Sequence, residues 1–197
     1  GEVPRDKLIT TAGGQVGDSI LLVKGIPIEA TAIIAHEKAD ELRARGYDEA
    51  FLQRARGYLR DPGISVVAAA RLAGEHTGVH AMHDPTEGGL ATGMHELAFA
   101  ADAGIRLDAD KVTVLPEGQR LCAEYGLDPL GAIASGALLV AIAPDEAKHL
   151  IATYTRAGIL CACIGELLPK SEGIYMLRDG QRLSLPRYDS DEITRIL

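Results

Sequence analysis

The segment Ala81-Met82-His83-Asp84-Pro85-Thr86-Glu87-Gly88-Gly89-Leu90 constrains this chain more than any other. It reads as the end of an apolar strand, a polar turn, two adjacent glycines and the start of a helix. Pro85 fixes φ immediately after Asp84 and so starts the turn. Thr86 is placed to cap the following helix through its hydroxyl oxygen. Gly88 and Gly89 have no side chain to screen their backbone N–H groups, and a helix N-terminus with bare amides attracts anions. The segment therefore points to a phosphate or other anionic ligand held at this turn. An ordinary capped strand-to-helix turn is the plainer alternative.

The rest of the chain is consistent with a globular domain built around that turn. It has 197 residues, 47% of them hydrophobic, enough for a real core in one domain. Only 4% are aromatic and there is no tryptophan, so the core has to be made of Ala, Leu, Ile and Val. The net charge of −8 argues against non-specific binding to nucleic acid or anionic membranes, which needs clustered Lys and Arg. No apolar run is long enough to span a bilayer, and no signal-peptide pattern opens the sequence. Three cysteines make no disulfide framework. Cys161 and Cys163 lie two apart in a strand-like run and so share a face. With the remote Cys122 they read as reduced core thiols, which suits a cytoplasmic protein.

Residues 1–18 are polar and Gly-rich and read as a lead-in. The strand Ser19–Lys24 follows, then one helix from Pro27 to about Arg45. Asp48 caps a helix reaching about Leu59, Asp61-Pro62-Gly63 turns the chain, and a further helix covers Ser65 to about Glu75. A strand at Val79–Met82 leads into the Gly-Gly turn, and the next helix runs to about Asp102, with Gly104 as its stop. A strand at Ile105–Leu107, a helix at Glu117–Tyr125 closed by Gly126, and a doubly buried strand at Ala137–Ala143 come next. A helix from Pro144 to about Ala157 and a strand at Leu160–Glu166 precede a hairpin about Asp179-Gly180. Asp191 caps a short final helix. Alternating helices and strands closed by a hairpin predict an α+β fold, a layered mixed sheet packed with helices.

Several side chains are candidates for chemistry. Asp84 and Glu87 are hard oxygen donors beside the anion position and could hold Mg²⁺ against phosphate oxygens; turn capping by Asp84 and a dipole contact by Glu87 are the alternative. His76 and His80 read as surface or turn histidines, whereas His83 adjoins the turn and could touch a ligand. Ala134-Ser135-Gly136 is a second small-residue loop where a ligand could approach the backbone, or a plain tight turn. His36-Glu37-Lys38-Ala39-Asp40 has an aspartate where a zinc-protease helix needs its second histidine, so no zinc site is expected there.

Asp84-Pro85-Thr86-Glu87-Gly88-Gly89-Leu90 resembles the Asp-x-Thr-x-x-Gly-Leu element of the aminoimidazole ribonucleotide synthetase-related superfamily. Thr11-Ala12-Gly13-Gly14-Gln15-Val16-Gly17-Asp18-Ser19-Ile20-Leu21 is similar to the opening of its hydrogenase-maturation branch. Asp128-Pro129-Leu130 and Ala134–Ala141 are similar to its later loop and strand. Order and spacing match over nearly the whole chain. The resemblance implies the C-terminal half of a two-domain enzyme, residues 19–197, with 1–18 leading in from an N-terminal domain. That missing domain would supply most carboxylate and metal contacts to ATP and the main homodimer interface. Asp84, Thr86, Gly88 and Gly89 would then be the phosphate side of a shared cleft, and His83, Ser135 and Gly136 the substrate side. ATP and Mg²⁺ are the implied cofactors, and the substrate a small molecule or a protein-carried group.

Two departures stand out. Glu87 occupies a position where the hydrogenase-maturation relatives usually have arginine, so a phosphate there would need an intervening Mg²⁺. The tail Thr194-Arg195-Ile196-Leu197 has no cysteine, so chemistry on a terminal cysteine is not expected. A Gly88→Asp change is expected to block the amides while leaving the fold intact.

Overall fold

Strands rich in Ile, Leu and Val with apolar residues at both even and odd positions cannot lie at a protein surface, and they form the middle of the sheet. In β1 (Ser19–Val23), Ile20 and Leu22 enter one core and Leu21 and Val23 the other. β4 (Leu138–Ile142) is buried at every position. The computed structural model describes residues 3, 4 and 7–197; residues 1, 2, 5 and 6 of the expected lead-in lie outside the described residues.

Seven strands form one mixed sheet in the order β2-β4-β1-β5-β3-β6-β7. These are β2 (Val79–His83), β3 (Gly104–Asp108), β5 (Cys161–Leu168), β6 (Ile174–Arg178) and β7 (Gln181–Ser184), besides β1 and β4. Every neighbouring pair is antiparallel except β3 with β6. Asp179 and Gly180 both take positive φ between β6 and β7, as a two-residue hairpin with the sheet's twist requires.

Helices cover both faces. α5 (Gly89–Ala100) packs on one face, where Leu90, Met94 and Leu97 meet Ile20, Leu22, Ile105, Leu139 and Leu167. α4 (Val67–Gly74) and α7 (Pro144–Arg156) cover the other, where Leu150 and Tyr154 meet Leu21, Val140 and Ile142. The buried Tyr154 hydroxyl donates to the Ala69 carbonyl at 2.9 Å, joining those two helices. A separate packet contains α1 (Glu29–Glu37), α2 (Ala39–Ala44), α3 (Glu49–Gly57) and α6 (Pro116–Tyr125) around Ile34, Leu42, Phe51, Leu52 and Leu121. The α+β layered fold follows the expectation.

Two local readings change. The long helix from Pro27 is two helices, because Lys38 leaves helical geometry with φ −103° and ψ 18°. α5 ends at Ala100 rather than being stopped by Gly104, which already lies in β3; Asp102 at φ 50° makes the reversal. The Asp48 cap forms as expected, its carboxylate accepting the Phe51 N–H at 2.6 Å.

β2 is an edge strand paired only with β4, whereas β3 lies four places further across the sheet. α5 must therefore cross the face of the sheet between them. That crossing fixes the turn 84–88 at the point where the chain leaves the edge strand and dives under the tail.

Candidate functional site

The turn has an outer and an inner side. Asp84, Thr86 and Glu87 are exposed, whereas Pro85, Gly88 and Gly89 are buried. Gly88 and Gly89 both sit in the left-handed region, at φ 74° and 64°. Glycine is needed at both for conformational reasons, and at Gly89 also for space: a Cβ there would lie 2.5 Å from the Leu130 carbonyl oxygen and 2.7 Å from that of Ala132.

Thr86 does not cap α5 through its hydroxyl. The N-cap position belongs to Gly88, and no side chain caps the helix there. Thr86 works through its backbone instead: its carbonyl accepts from Gly89 N–H at 3.0 Å and from Ala134 N–H at 3.3 Å. The Glu87 carboxyl is held below the usual carboxylate range, first by its own backbone N–H and then by the Thr86 hydroxyl. The outer side of the turn is thus anionic at neutral pH.

The inner amides are not bare. Gly88 N–H donates to Asp191 Oδ2 at 2.8 Å, Gly89 N–H to the Thr86 carbonyl, and Ala91 N–H to the Leu130 carbonyl at 2.9 Å. Asp191 is buried, and its other oxygen accepts from Ile133 N–H and Ile193 N–H, both at 3.1 Å. The position expected for an outside anion is therefore filled by a carboxylate from the tail, with the N-terminal end of α5 stabilising its charge. Asp191 does cap the short final helix Glu192–Arg195 as expected, but it also reaches across 103 residues to the turn.

Neighbouring residues fix that tail. Tyr188 donates its hydroxyl to Asp128 Oδ2 at 2.7 Å, and its ring lies where a Cβ on Gly131 would have to go. Glu192 accepts Asp128 N–H at 2.8 Å and donates its own N–H to the Gly131 carbonyl at 3.1 Å. Residues 188–193 form a strap over the loop 128–133 and the inner side of the turn.

The structure brings most sequence candidates into one neighbourhood. Ala134 bonded to Thr86 sets Ser135 and Gly136 beside the turn; Ser135 is half-buried and Gly136 buried. Gly136, at φ 103°, abuts the Gly63 carbonyl, where a Cβ would come within 2.6 Å, so its glycine is required by close packing. His83 is engaged elsewhere: Nε2 lies 2.8 Å from Glu96 Oε2, and Nδ1 lies 3.4 Å from Thr11 Oγ1. His80 is no free surface histidine, since its Nδ1 lies 2.8 Å from the buried Asp18 carboxylate. Asp18 also accepts Gln15 N–H at 2.8 Å, which holds the incoming loop against β2.

A Gly88→Asp change would disturb more than amide access. It would force an L-residue into left-handed geometry, put a Cβ 2.3 Å from Thr92 Oγ1, and set a second carboxylate beside Asp191. The expectation of an intact fold does not carry over to this geometry. What the sequence reading missed is the reach of Asp191. An Asp before a short helix signals a local cap, and nothing local signals a second partner a hundred residues away.

A cavity of about 580 Å³ opens beside this arrangement. α5 contributes Thr92, His95, Glu96 and Phe99, and the tail contributes Arg187, Tyr188 and Asp189. The Thr92 hydroxyl is buried and has no hydrogen-bond partner among the described residues. No helix among them is long and apolar enough to cross a membrane.

Residues 15–177 match the family described as AIR synthase related protein, C-terminal domain. The carbamoyl dehydratase HypE of Cupriavidus necator is 31% identical over 152 residues, covering 77% of this chain and 40% of that protein. The crystal structure of Escherichia coli HypE superposes with a TM-score of 0.76 at 22% identity, over 100% of this chain and 57% of that one. A HypE structure in complex with ATP gives 0.67 at 20% identity, over 96% and 56%. The chain thus spans about half the length of these relatives, and it belongs to the AIR synthase-related proteins, whose C-terminal domain it carries.

Proposed function

We propose that this chain works as the C-terminal domain of an ATP-using enzyme, joined in the cleft by an N-terminal domain of the kind its longer relatives possess. The observation that carries the reading is the family match over residues 15–177, which includes the turn 84–89 and the loop 134–136. The exposed carboxylates of Asp84 and Glu87 suit a hard cation with oxygen ligands, so they would face Mg²⁺ and, through it, phosphate oxygens. Bound there, Mg²⁺ would supply charge neutralisation for a transferring or leaving phosphoryl group.

The chain's own residues supply positioning. The buried Gly88-Gly89 pair anchors α5 so that Asp84, Thr86 and Glu87 project from a rigid corner. Ser135, half-buried and next to the Ala134 that bonds Thr86, would on this reading meet a substrate group against the phosphate side. Catalysis of this type depends on such positioning and on charge stabilisation more than on covalent steps by the protein. A homodimer of the full protein and a small-molecule or protein-carried substrate belong to the same reading.

A second reading has an observation in its favour. The inner amides are already spent on Asp191 and Thr86, as suits a binding or interaction domain that no longer handles phosphate. Calorimetric titration of Mg-ATP into this chain alone and into a protein that also contains the N-terminal domain separates the two. Binding only by the longer protein supports the enzyme reading. Binding by neither supports the interaction domain.

A further inference from the structure

A lysine side chain is seldom buried without a carboxylate beside it, because a charge taken out of water is unfavourable unless it is paired. Lys24, the residue after β1, is such a side chain. It is only 8% exposed and forms no ion pair among the described residues. Its Nζ donates to the Gly63 carbonyl at 2.9 Å and to the Ser65 carbonyl at 2.7 Å. An ammonium has three donors, so one N–H is left without a partner among those residues. The two carbonyls are neutral dipoles and supply no opposite charge. Burial accordingly pulls the ammonium below the usual lysine range. The backbone adds a second cost. Lys24 sits at φ 72°, a left-handed conformation that glycine takes freely and lysine does not. A glycine would remove both costs, yet the chain carries a lysine, and strain of this kind points to a function.

Lys24 lines a cavity of about 310 Å³. Most of the remaining wall is apolar, from Tyr58, Pro62, Leu115, Ile159 and Leu160. Leu160 is 56% exposed, so part of that apolar lining meets water. Two acids are near. Asp61 also lines the cavity, but its residue is exposed and it makes no ion pair with Lys24. Glu117 is already taken by the Tyr58 hydroxyl at 2.6 Å and by Arg54 at 2.8 Å. An apolar pocket with one uncompensated cation in its wall suits a small monocarboxylate. The hydrocarbon part would cover the apolar lining, and the charge would complete the ammonium. A dianionic phosphate would leave one of its charges uncompensated against the same apolar walls.

We propose that the cavity beside Lys24 binds a small monocarboxylate with an apolar body, with the Lys24 ammonium as its counter-ion. Asp61 is then a rival for the same ammonium and no part of the site. The proposal does not depend on how the turn 84–89 is used, although it reaches the same neighbourhood. The Gly63 carbonyl that Lys24 holds is the one packed against Gly136, where a Cβ would come within 2.6 Å. A ligand at Lys24 is thus one backbone contact away from the loop 134–136.

The test is titration of this chain with butyrate at constant ionic strength, followed by NMR. Butyramide serves as the uncharged isostere and chloride as the bare anion. Butyrate should shift the amides of Gly63, Ser65 and Leu160 to saturation. It should bind about tenfold or more tightly than either control, as a charge-assisted hydrogen bond allows. Lys24→Met keeps the length of the side chain without its charge, and should lose that preference. Asp61→Asn removes the rival and should bind butyrate at least as tightly as wild type. Equal binding of butyrate and butyramide, shifts confined to other parts of the chain, or an undiminished preference in Lys24→Met would overturn the proposal. So would loss of butyrate binding in Asp61→Asn. Should Lys24→Met not fold, the wild type decides through the Lys24 Cε resonance. A bound carboxylate favours the charged amine, so the titration midpoint of that resonance should rise when butyrate is added, and an unmoved midpoint refutes the site.

Discussion

Gly89→Ala is the sharpest probe of how the turn is built. The residue sits at φ 64°, and an added Cβ would meet only backbone: Leu130 O at 2.5 Å, Ala132 O at 2.7 Å and Ala132 N at 2.9 Å. The left-handed conformation costs an alanine about 1–2 kcal/mol. Alanine returns about 0.4–1 kcal/mol by restricting the unfolded chain. Forcing the loop 130–132 outward adds about 1–3 kcal/mol, because backbone cannot rotate away as a side chain can. The net loss is about 2–4 kcal/mol, a substantial part of the roughly 5–15 kcal/mol that stabilises a typical domain. In thermal unfolding that is about 4–16 °C for a chain of this size.

Gly88→Ala provides the control. Its φ of 74° carries the same conformational penalty, but the added methyl would meet Thr92 Oγ1, the end of a side chain that can turn. Its loss should be about 0–1.5 kcal/mol, the left-handed penalty less what alanine returns by restricting the unfolded chain. Urea unfolding of both variants measures the difference. A Gly89→Ala loss no greater than that of Gly88→Ala would refute the account, because it would mean that the loop 130–132 gives way freely.

Two further expectations test the surroundings. Glu117 accepts from Tyr58 at 2.6 Å and from Arg54 at 2.8 Å. Burial works against its charge, but these two donors prevail and hold its carboxyl below the ordinary 4.5. Its contribution is therefore fully present above that value and lost as pH falls through the lowered one, so Glu117→Gln should cost about 1–3 kcal/mol at pH 7 and less at pH 3. Urea midpoints at the two pH values check this, and an undiminished gap at pH 3 would contradict it. Burial pushes the Cys122 and Cys161 thiols up to about 12, so at pH 8 both should react with a disulfide reagent about a hundredfold more slowly in the native protein than after unfolding. Rapid native labelling of the buried Cys122 or the half-buried Cys161 would contradict this desolvation.

What was legible in the sequence is what is local. The Asp48 cap, the Asp179-Gly180 hairpin turn, the Gly126 helix end and the doubly buried β4 all depend on a few consecutive residues, and all are found. The order of strands is a property of distant pairings, and no local pattern sets β4 between β2 and β1. The site divides in the same way. Gly88 and Gly89 announce a turn that only glycine tolerates, yet the partner of Gly88 N–H lies 103 residues away. Likewise His80 reads as a turn residue until Asp18 is seen beside it, 62 residues earlier. Gly-Gly signals only that no side chain screens the amides, and an internal carboxylate satisfies them as well as a ligand can.

Glu87 tests whether the outer side of the turn depends on a cation. With Asp191 already balancing the positive end of α5, the exposed Asp84 and the ionised Glu87 leave the turn negative. A bare phosphate approaching to about 4 Å from one such carboxylate meets roughly 1 kcal/mol of repulsion per unit charge even at the dielectric of water. A multiply charged phosphate beside two carboxylates meets several times that, and a divalent cation between them reverses the sign. In a protein that also carries the proposed N-terminal domain, Glu87→Arg should therefore lessen the dependence of nucleotide binding on Mg²⁺. Affinity without the metal should rise about tenfold or more, corresponding to at least 1.4 kcal/mol, as one repulsive charge becomes an attractive one. Calorimetry of ATP with and without Mg²⁺ in wild type and variant measures this. If the ratio of the two affinities is unchanged by the substitution, the outer carboxylates do not face the phosphate, and the proposed Mg²⁺ position beside them is refuted.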